Sequence, residues 1–341
     1  MATTTRSNID HETGASPRAS NGLSRRSALA CGAGAITLVA GGARAQQQPI
    51  MFISGAAAGG AIDAYARIIA DHMSRTLGQS IVFEAKAGAG GNIAAQQIAA
   101  APADGSLVWV GTMAMTEINP LVYSKIAWSM KDFQPLIKGI EAPLVFVTHP
   151  SVPARTLDEF VAWAKPQRGK HSYASFSPGT PSHFLGALMS DKFGLDLTHV
   201  PYRGSGPQTN DLIAGHVQFG FTQMQGALAQ FEAGRLRAIA TTSEKRFRLT
   251  PDTPTFAELG HPDFNTSIWF GLLVKAGTPA PIYQRLLDAA KAAHADEGVR
   301  KALEPQGFDI SAQTSEDFRR SIEAGSARWA KLVKATGFRA D

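Results

Sequence analysis

Residues 50–78 read IMFISGAAAGGAIDAYARIIADHMSRTLG, and this stretch decides the fold class. The apolar-rich residues from Ile50 to Ser54 predict a buried strand, and the glycine-rich residues 55–60 predict a loop. Apolar side chains then recur at helical spacing from Ile62 to Leu77, and Gly78 is typical of a residue that ends a helix. The stretch therefore predicts a strand, a loop and a helix, the unit from which parallel α/β sheets are built.

The same unit recurs further along the chain. Apolar strands followed by glycine-containing loops and helical patterns begin near Ile81, Leu107, Ser172 and His199. The repetition predicts an α/β fold with two lobes, each a mainly parallel sheet flanked by helices.

The order of the units indicates that the chain crosses between the lobes twice. We expect lobe 1 to comprise residues 46–146 and 271–341, and lobe 2 to comprise residues 147–270. Pro150 and Pro153 follow a strand-like run, and their fixed backbone angles suit the first crossing.

Residues 1–45 have the features of a twin-arginine export signal. Arg25 and Arg26 precede an apolar run, and the small residues Ala43 and Ala45 predict cleavage before Gln46. The apolar run is shorter than the ~20 residues that span a bilayer. We therefore expect a periplasmic protein. A cytosolic protein with an arginine-bearing tail and a lipoprotein anchored at Cys31 are the alternatives.

Composition excludes several classes of function. Cys31 is the only cysteine and lies inside the predicted signal, so the remaining chain can form neither a disulfide nor a thiolate site. The net charge is +5, of which the signal contributes three, and the basic residues elsewhere are scattered. No basic stripe for nucleic acid is present, so we expect no nucleic-acid partner.

Three glycine-rich loops precede predicted helices and are candidate anion sites. Unpaired amides and the positive end of the helix dipole favour an anion at a helix N-terminus. The three segments are Gly59 to Asp63, Pro178 to His183 and Gly204 to Gln208. Each segment is also compatible with an ordinary helix start that binds nothing. Asp63 is likewise compatible with a structural role, in which its carboxylate stabilises the first helical turn through the helix dipole.

Signatures of catalysis are weak. The sequence has no phosphate-binding Gly-x-x-x-x-Gly-Lys-Ser/Thr loop, no His-Glu-x-x-His and no Gly-x-Ser-x-Gly, and its nine histidines are dispersed. We predict no catalytic residue, no metal and no organic cofactor. Isolated histidines such as His183 and His199 are more often structural than catalytic.

The sequence resembles the tripartite tricarboxylate transporter receptors, the Bug-type solute-binding proteins. The resemblance covers nearly all of the chain after the signal and rests on many short motifs in one order. They include Gly59-Gly60-Ala61-Ile62-Asp63, Gly88-Ala89-Gly90-Gly91-Asn92-Ile93, Pro102-Ala103-Asp104-Gly105, Gly179-Thr180 with His183, His199-Val200-Pro201-Tyr202-Arg203-Gly204 and Asp252-Thr253-Pro254-Thr255.

This resemblance implies a two-lobed, Venus-flytrap periplasmic binding protein that delivers a carboxylate ligand to a permease with a large and a small membrane subunit. It implies that Gly59 and Gly60 hold one ligand carboxylate and that Gly179 and Thr180 contribute from the other lobe. The complete set of predicted ligand-binding residues is Gly59, Gly60, Asp63, Thr112, Ser177, Gly179, Thr180, His183, Tyr202, Gln223 and Trp269.

Four departures from the family pattern leave the identity of the ligand open. They are Ala58, residues 85–87, Thr222 and the segment from Met113 to Glu117. A ligand sensor for a membrane kinase is an alternative function. A periplasmic hydrolase using His183 near Asp63 is another. We expect a monomer, because a receptor that closes around its ligand needs no partner copy.

Overall fold

The computed structural model of the chain describes residues 48–340, so the predicted export signal and Cys31 lie outside the described residues. The strands are β1 Ile50–Ser54, β2 Ile81–Ala85, β3 Leu107–Thr112, β4 Phe133–Thr148, β5 Ser172–Ser175, β6 Thr198–Pro201, β7 Phe219–Gln223, β8 Arg237–Thr241, β9 Ser267–Lys275 and β10 Asp309–Thr314. The α-helices are α1 Ala61–Leu77, α2 Asn92–Ala100, α3 Asn119–Val122, α4 Leu157–Ala164, α5 Pro181–Phe193, α6 Ser205–Ala214, α7 Met224–Glu232, α8 Ala280–Ala295, α9 Glu297–Leu303 and α10 Ser315–Thr336.

The strands form one continuous mixed sheet in the order β2-β1-β3-β9-β4-β7-β5-β6, with β8 and β10 also paired to β4. Strand β1 is parallel to β2 and β3, and β5 is parallel to β6 and β7. Every pairing that involves β4 or β9 is antiparallel. The expected parallel pairings are therefore found among the outer strands. Strand β4 carries the chain from one half of the sheet to the other, and β9 brings it back in the opposite direction.

The first crossing lies inside β4. Its residues Phe133 to Pro143 pair with β9, and its residues Leu144 to Thr148 pair with β7. The prediction of a crossing near Pro150 and Pro153 was wrong. Both prolines follow the end of β4, and the chain has already crossed inside that strand. A continuous strand carries the chain across while its backbone hydrogen bonds stay paired, so no proline turn is needed.

The return crossing runs beside the first. The Thr242 amide donates to the Leu144 carbonyl, and the Thr266 amide donates to the Thr242 carbonyl, both at 2.9 Å. Residue 266 immediately precedes β9. The predicted lobe limits at residues 146 and 270 stay predictions, and the change of partner strand at Pro143–Leu144 is compatible with a hinge close to the first of them.

Helix α1 forms as its sequence predicts. It begins after Gly60, buries the apolar stripe that includes Tyr65, and ends at Gly78, whose φ of 61° is the left-handed conformation that glycine adopts without steric cost. The Tyr65 hydroxyl lies 3.1 Å from His294 Nε2, and His294 Nδ1 lies 2.8 Å from the Ala290 carbonyl. The second contact requires the proton on Nδ1, so Nε2 accepts from Tyr65.

Gly139 of β4 lies against this buried pair, and its substitution tests the packing. A β-carbon there would lie 2.0 Å from the Tyr65 hydroxyl oxygen and 2.3 Å from His294 Nε2. We expect Gly139→Ala to lower the free energy of unfolding by about 1–3 kcal/mol, the usual cost of overpacking a core. Chemical denaturation measures the change.

Gly206→Ala is the matched control for that experiment. Its added methyl group would find its nearest neighbour at 3.5 Å, an ordinary van der Waals contact, and the helix-forming preference of alanine favours the change. Equal stability of the two variants would contradict the close packing at Gly139.

None of the helices within residues 48–340 has the length and apolar character that crossing a membrane requires.

Candidate ligand-binding cleft

A cavity of about 580 Å³ lies between loops from the two halves of the sheet. Its walls follow the carboxyl ends of β1, β2 and β3 on one side and of β5, β6 and β7 on the other, with the start of β9 at its base. Ligands of open α/β sheets bind at the carboxyl ends of the strands, and this cavity obeys that rule. The lining residues are 55–57, 60–62, 87–90, 112–115, 123, 176–178, 180–181, 201–205, 223 and 268–270.

The N-termini of α1 and α6 approach each other across the cavity. A β-carbon on Gly60 would lie 3.2 Å from Ser205 Oγ, and one on Gly206 would lie 3.5 Å from the Gly59 carbonyl oxygen. Glycine permits this close approach of two loops that belong to different halves of the sheet. The two helix N-termini therefore meet at one end of the cavity.

Unpaired backbone amides line this end. Within residues 48–340, the amides of Ala61, Ile62 and Ser205 donate to no protein acceptor, and all three residues line the cavity. Free amides at a helix N-terminus, together with the positive end of the helix dipole, attract a carboxylate. This end can accept an anion from both halves of the sheet at once.

The loop before α5 forms a second polar wall. Thr180 occupies the N-cap position of α5, but its hydroxyl binds no helix amide. It donates instead to the Ser177 carbonyl at 2.7 Å and lies 3.0 Å from Ser182 Oγ. Thr180 therefore fixes the shape of the loop, and Gly179 with a φ of 67° supplies its left-handed turn.

Two stacked histidines lie behind this loop. The rings of His183 and His199 are 3.9 Å apart and nearly parallel, and His183 Nδ1 accepts from the Gly179 amide at 3.2 Å. Burial, and secondarily the neighbouring His199, lower the pKa of His183 to about 3, and burial lowers the pKa of His199 to about 4. Both rings are neutral at pH 7. His183 positions the loop and does not line the cavity.

Asp63 also supports the site from behind. Its carboxylate accepts from the Gly59 amide at 3.1 Å and pairs with Arg67 at 2.8 Å, and its side chain is 15% exposed. Gly59 has a φ of 84°, so Asp63 holds a turn that needs glycine. Among the described residues no hydrogen bond joins Asp63 to His183, and the acid–base pair considered for a hydrolase does not form.

Of the predicted ligand-binding residues, most line the cavity and the others support it. Gly60, Thr112, Ser177, Thr180, Tyr202, Gln223 and Trp269 line the cavity, whereas Gly59, Asp63, Gly179 and His183 lie outside its lining. No ligand contact can be assigned to the second group from this geometry.

The polar side chains that line the cavity differ in what they can offer a ligand. Ser177 Oγ and the Gln223 carboxamide have no protein partner within residues 48–340 and are free to bind a ligand. The Tyr202 hydroxyl donates to Asp211 at 2.8 Å. Burial, followed by this contact with Asp211, raises the pKa of Tyr202 to about 12. Tyr202 therefore contributes its ring, since its hydroxyl is already engaged.

Several lining residues were missed from sequence. Met113, Met115 and Phe176 add apolar wall, and Arg203 is the one charged side chain among the described lining residues. The sequence did contain signals for the two methionines and for Arg203: the methionines lie in the segment 113–117 that departs from the family pattern, and Arg203 lies in the family motif 199–204. Phe176 gave none, because a buried aromatic residue after a strand has the same pattern whether it faces a core or a cavity.

Metal binding finds no support in this geometry. In the part of the chain that the structure describes, no three His, Cys, Asp or Glu side chains lie close enough together to hold a metal ion.

The fold and the cleft define a two-lobed periplasmic binding protein. Comparison with known proteins then places the chain in a family: residues 65–338 match the tripartite tricarboxylate transporter family receptors, and the chain belongs to that family. Protein BugT of Bordetella pertussis is 32% identical over 292 residues, which cover 85% of this chain and 90% of BugT.

Two solved relatives contain dicarboxylates. The structure of R. palustris Rpa4515 with adipate has a TM-score of 0.81 and 30% identity, covering 85% of this chain and 98% of that one. MatC from Rhodopseudomonas palustris with bound malate has a TM-score of 0.78 and 28% identity, covering 84% and 98%.

Proposed function

We propose that this protein is an extracytoplasmic receptor that binds a small carboxylate in the cleft and delivers it to a tripartite tricarboxylate-type transporter. The observation that carries the proposal is the convergence of unpaired α1 and α6 amides on one end of the cavity. Export by the twin-arginine signal, a periplasmic location and delivery to large and small permease subunits belong to the same proposal. They are supported by family membership and by the sequence of residues 1–45.

A carboxylate suits this end of the cavity for energetic reasons. Hydrogen bonds between preset amides and a charged oxygen are about twice as strong as neutral ones. Because the amides come from both halves of the sheet, a carboxylate between them would hold the halves together. The adipate and malate bound to two relatives support the same ligand class for this chain.

The remainder of the cavity favours an apolar ligand body. Met113, Met115, Phe176 and Trp269 form much of its wall, and flexible methionine side chains adapt to different shapes. For a second ligand carboxylate, Arg203 is the one charged partner among the described lining residues. We propose an acid with a substantial aliphatic or aromatic body in preference to a compact tricarboxylate.

We also propose that the protein is not an enzyme. The histidines nearest the cleft, His183 and the half-buried His199, are neutral at pH 7, and His183 is bound to Gly179 and stacked on His199. The described residues that line the cavity include no nucleophile–base pair. Turnover of a bound acid by the purified protein would overturn this part of the proposal.

A thermal-shift screen tests the ligand class. Purified protein is heated with mono-, di- and tricarboxylates, aromatic acids and amino acids. An acid at one hundred times its dissociation constant should stabilise the folded state by about 2.7 kcal/mol, because it binds the folded state alone. Calorimetry of the best acid should then show one-to-one binding without turnover. No shift with any acid would contradict the carboxylate proposal.

A further inference from the structure

Glu117 is a buried acid behind the cleft wall. It belongs to the short π-helix Ala114–Ile118 that follows β3, and it is 2% exposed. Helical segments of this type are rare and are frequently found at functional sites. Glu117 does not line the ligand cavity.

One carboxylate oxygen of Glu117 binds a residue that does line the cavity. The Trp269 indole N–H donates to Glu117 Oε1 at 2.8 Å. Trp269 is in β9, paired with Glu141 of β4 next to the crossing between the halves of the sheet. Its ring borders the ligand cavity on one side and a second cavity, which contains Glu117, on the other.

The other carboxylate oxygen packs against α10. A β-carbon on Gly325 would lie 2.0 Å from Glu117 Oε2, so only glycine leaves room for the carboxylate there. Oε2 has no hydrogen-bond partner among the described residues. Glu117 is therefore held between Trp269 and α10, and a rotation of the indole ring would require the acid to move as well.

Helix α10 also contacts Met113, another residue of the cleft wall. The Trp329 indole N–H of α10 donates to Met113 Sδ at 3.2 Å, and Met113 lines both cavities. Two tryptophan contacts thus connect α10 and the segment 113–117 to the cleft wall.

Burial strongly affects the charge of Glu117. It raises the pKa of Glu117 to about 8, opposed by the Trp269 hydrogen bond and then by the charges of Arg328 on α10 and Lys138 on β4. Lys138 is itself paired with Glu141. Buried acids with strongly shifted pKa values cluster at functional sites.

We propose that Glu117 is a positioning residue that sets the orientation of Trp269 and thereby the shape of the ligand cavity. It contributes to ligand selection without touching the ligand. The binding test of this proposal rests on the proposed function, whereas the spectroscopic test needs no ligand.

The binding test is a double-mutant cycle. Glu117→Leu removes the acceptor and should weaken binding of the best acid by up to about tenfold, the upper end of the usual effect of losing one neutral hydrogen bond. Glu117→Gln keeps a carbonyl acceptor and should restore most of the affinity. In a Trp269→Phe background, which lacks the indole N–H, Glu117→Leu should have no further effect. Losses that add in the double variant would overturn the proposal, since additive losses indicate independent roles.

A second test needs no ligand. The protein is labelled with 5-fluorotryptophan, and the Trp269 signal is assigned with Trp269→Phe. That fluorine signal should titrate with an apparent pKa near 8 in the parent protein and stay constant with pH in Glu117→Gln. A Trp269 signal that responds to neither pH nor the substitution would overturn the proposal. If this test succeeds while no acid binds, the proposed function fails and the positioning role of Glu117 stands.

Discussion

Thr180→Phe should weaken binding of the ligand a hundredfold or more while the protein stays folded. Thr180 lines the cavity and is 7% exposed, so a phenyl ring there has no space except the cavity itself. The change also removes the hydroxyl that donates to the Ser177 carbonyl. A hundredfold loss corresponds to about 2.7 kcal/mol of binding free energy and is measured by isothermal calorimetry.

Thr180→Ser is the matched control, because it keeps the hydroxyl and removes only a methyl group. We expect its affinity to stay within about threefold of the parent value, a difference below the usual worth of a hydrogen bond. Melting temperatures of both variants show whether the loop before α5 has remained intact. Unchanged affinity in a folded Thr180→Phe variant would place the ligand elsewhere.

Acidification should destabilise the protein through its buried histidines. The pKa of His183 is lowered to about 3 and that of His294 to about 4, in both cases chiefly by burial. In the unfolded chain a histidine takes up its proton near pH 6.5, so between there and pH 4 the unfolded state binds more protons than the folded state. The contribution of these histidines to stability is therefore complete above pH 6.5 and decreases as the pH falls. The raised pKa of Glu117 acts in the opposite direction, because between about pH 8 and pH 4.5 the folded state binds its proton more tightly than the unfolded state.

The size of this effect follows from the same linkage. Between pH 7 and pH 5 each deeply buried histidine should lower the free energy of unfolding by about 2 kcal/mol, and His199 by less because it is partly exposed. Denaturation at a series of pH values in Glu117→Gln, which lacks the opposing titration of Glu117, measures the histidine total.

A substitution separates the contribution of His183. His183→Asn keeps an acceptor for the Gly179 amide, and it should reduce the slope of stability against pH by up to about 1.4 kcal/mol per pH unit below pH 6. His216→Asn on the surface, where the parent ring is 71% exposed, serves as the control. A slope that is unaffected by His183→Asn would contradict the burial of a neutral ring.

Local sequence predicted much of the fold and part of the site. The unit from Ile50 to Gly78 was recognisable because strand burial, helical spacing and a left-handed glycine are properties of neighbouring residues. The same reasoning located the helix starts at Gly60, Thr180 and Gly204, and two of these now face each other in one cavity. Backbone donors at a helix start depend little on the rest of the fold, so they are predictable.

Side-chain roles were less predictable than helix starts. Asp63 and His183 belong to motifs beside the cleft, yet Asp63 turns to Gly59 and Arg67, and His183 turns to Gly179. A short stretch of sequence does not specify which of several nearby partners a side chain selects. The competing contacts are decided by burial and geometry in the folded chain.

By itself the sequence determined the α/β units, the resemblance to a receptor family and the amide-rich loops, because each depends on residues close together in the chain. Only the tertiary structure decided that the chain crosses at Pro143–Leu144 and that Trp269 is held by Glu117, 152 positions away. Strand partners and buried hydrogen bonds of this kind join distant segments, and they are selected by the packing of the whole chain.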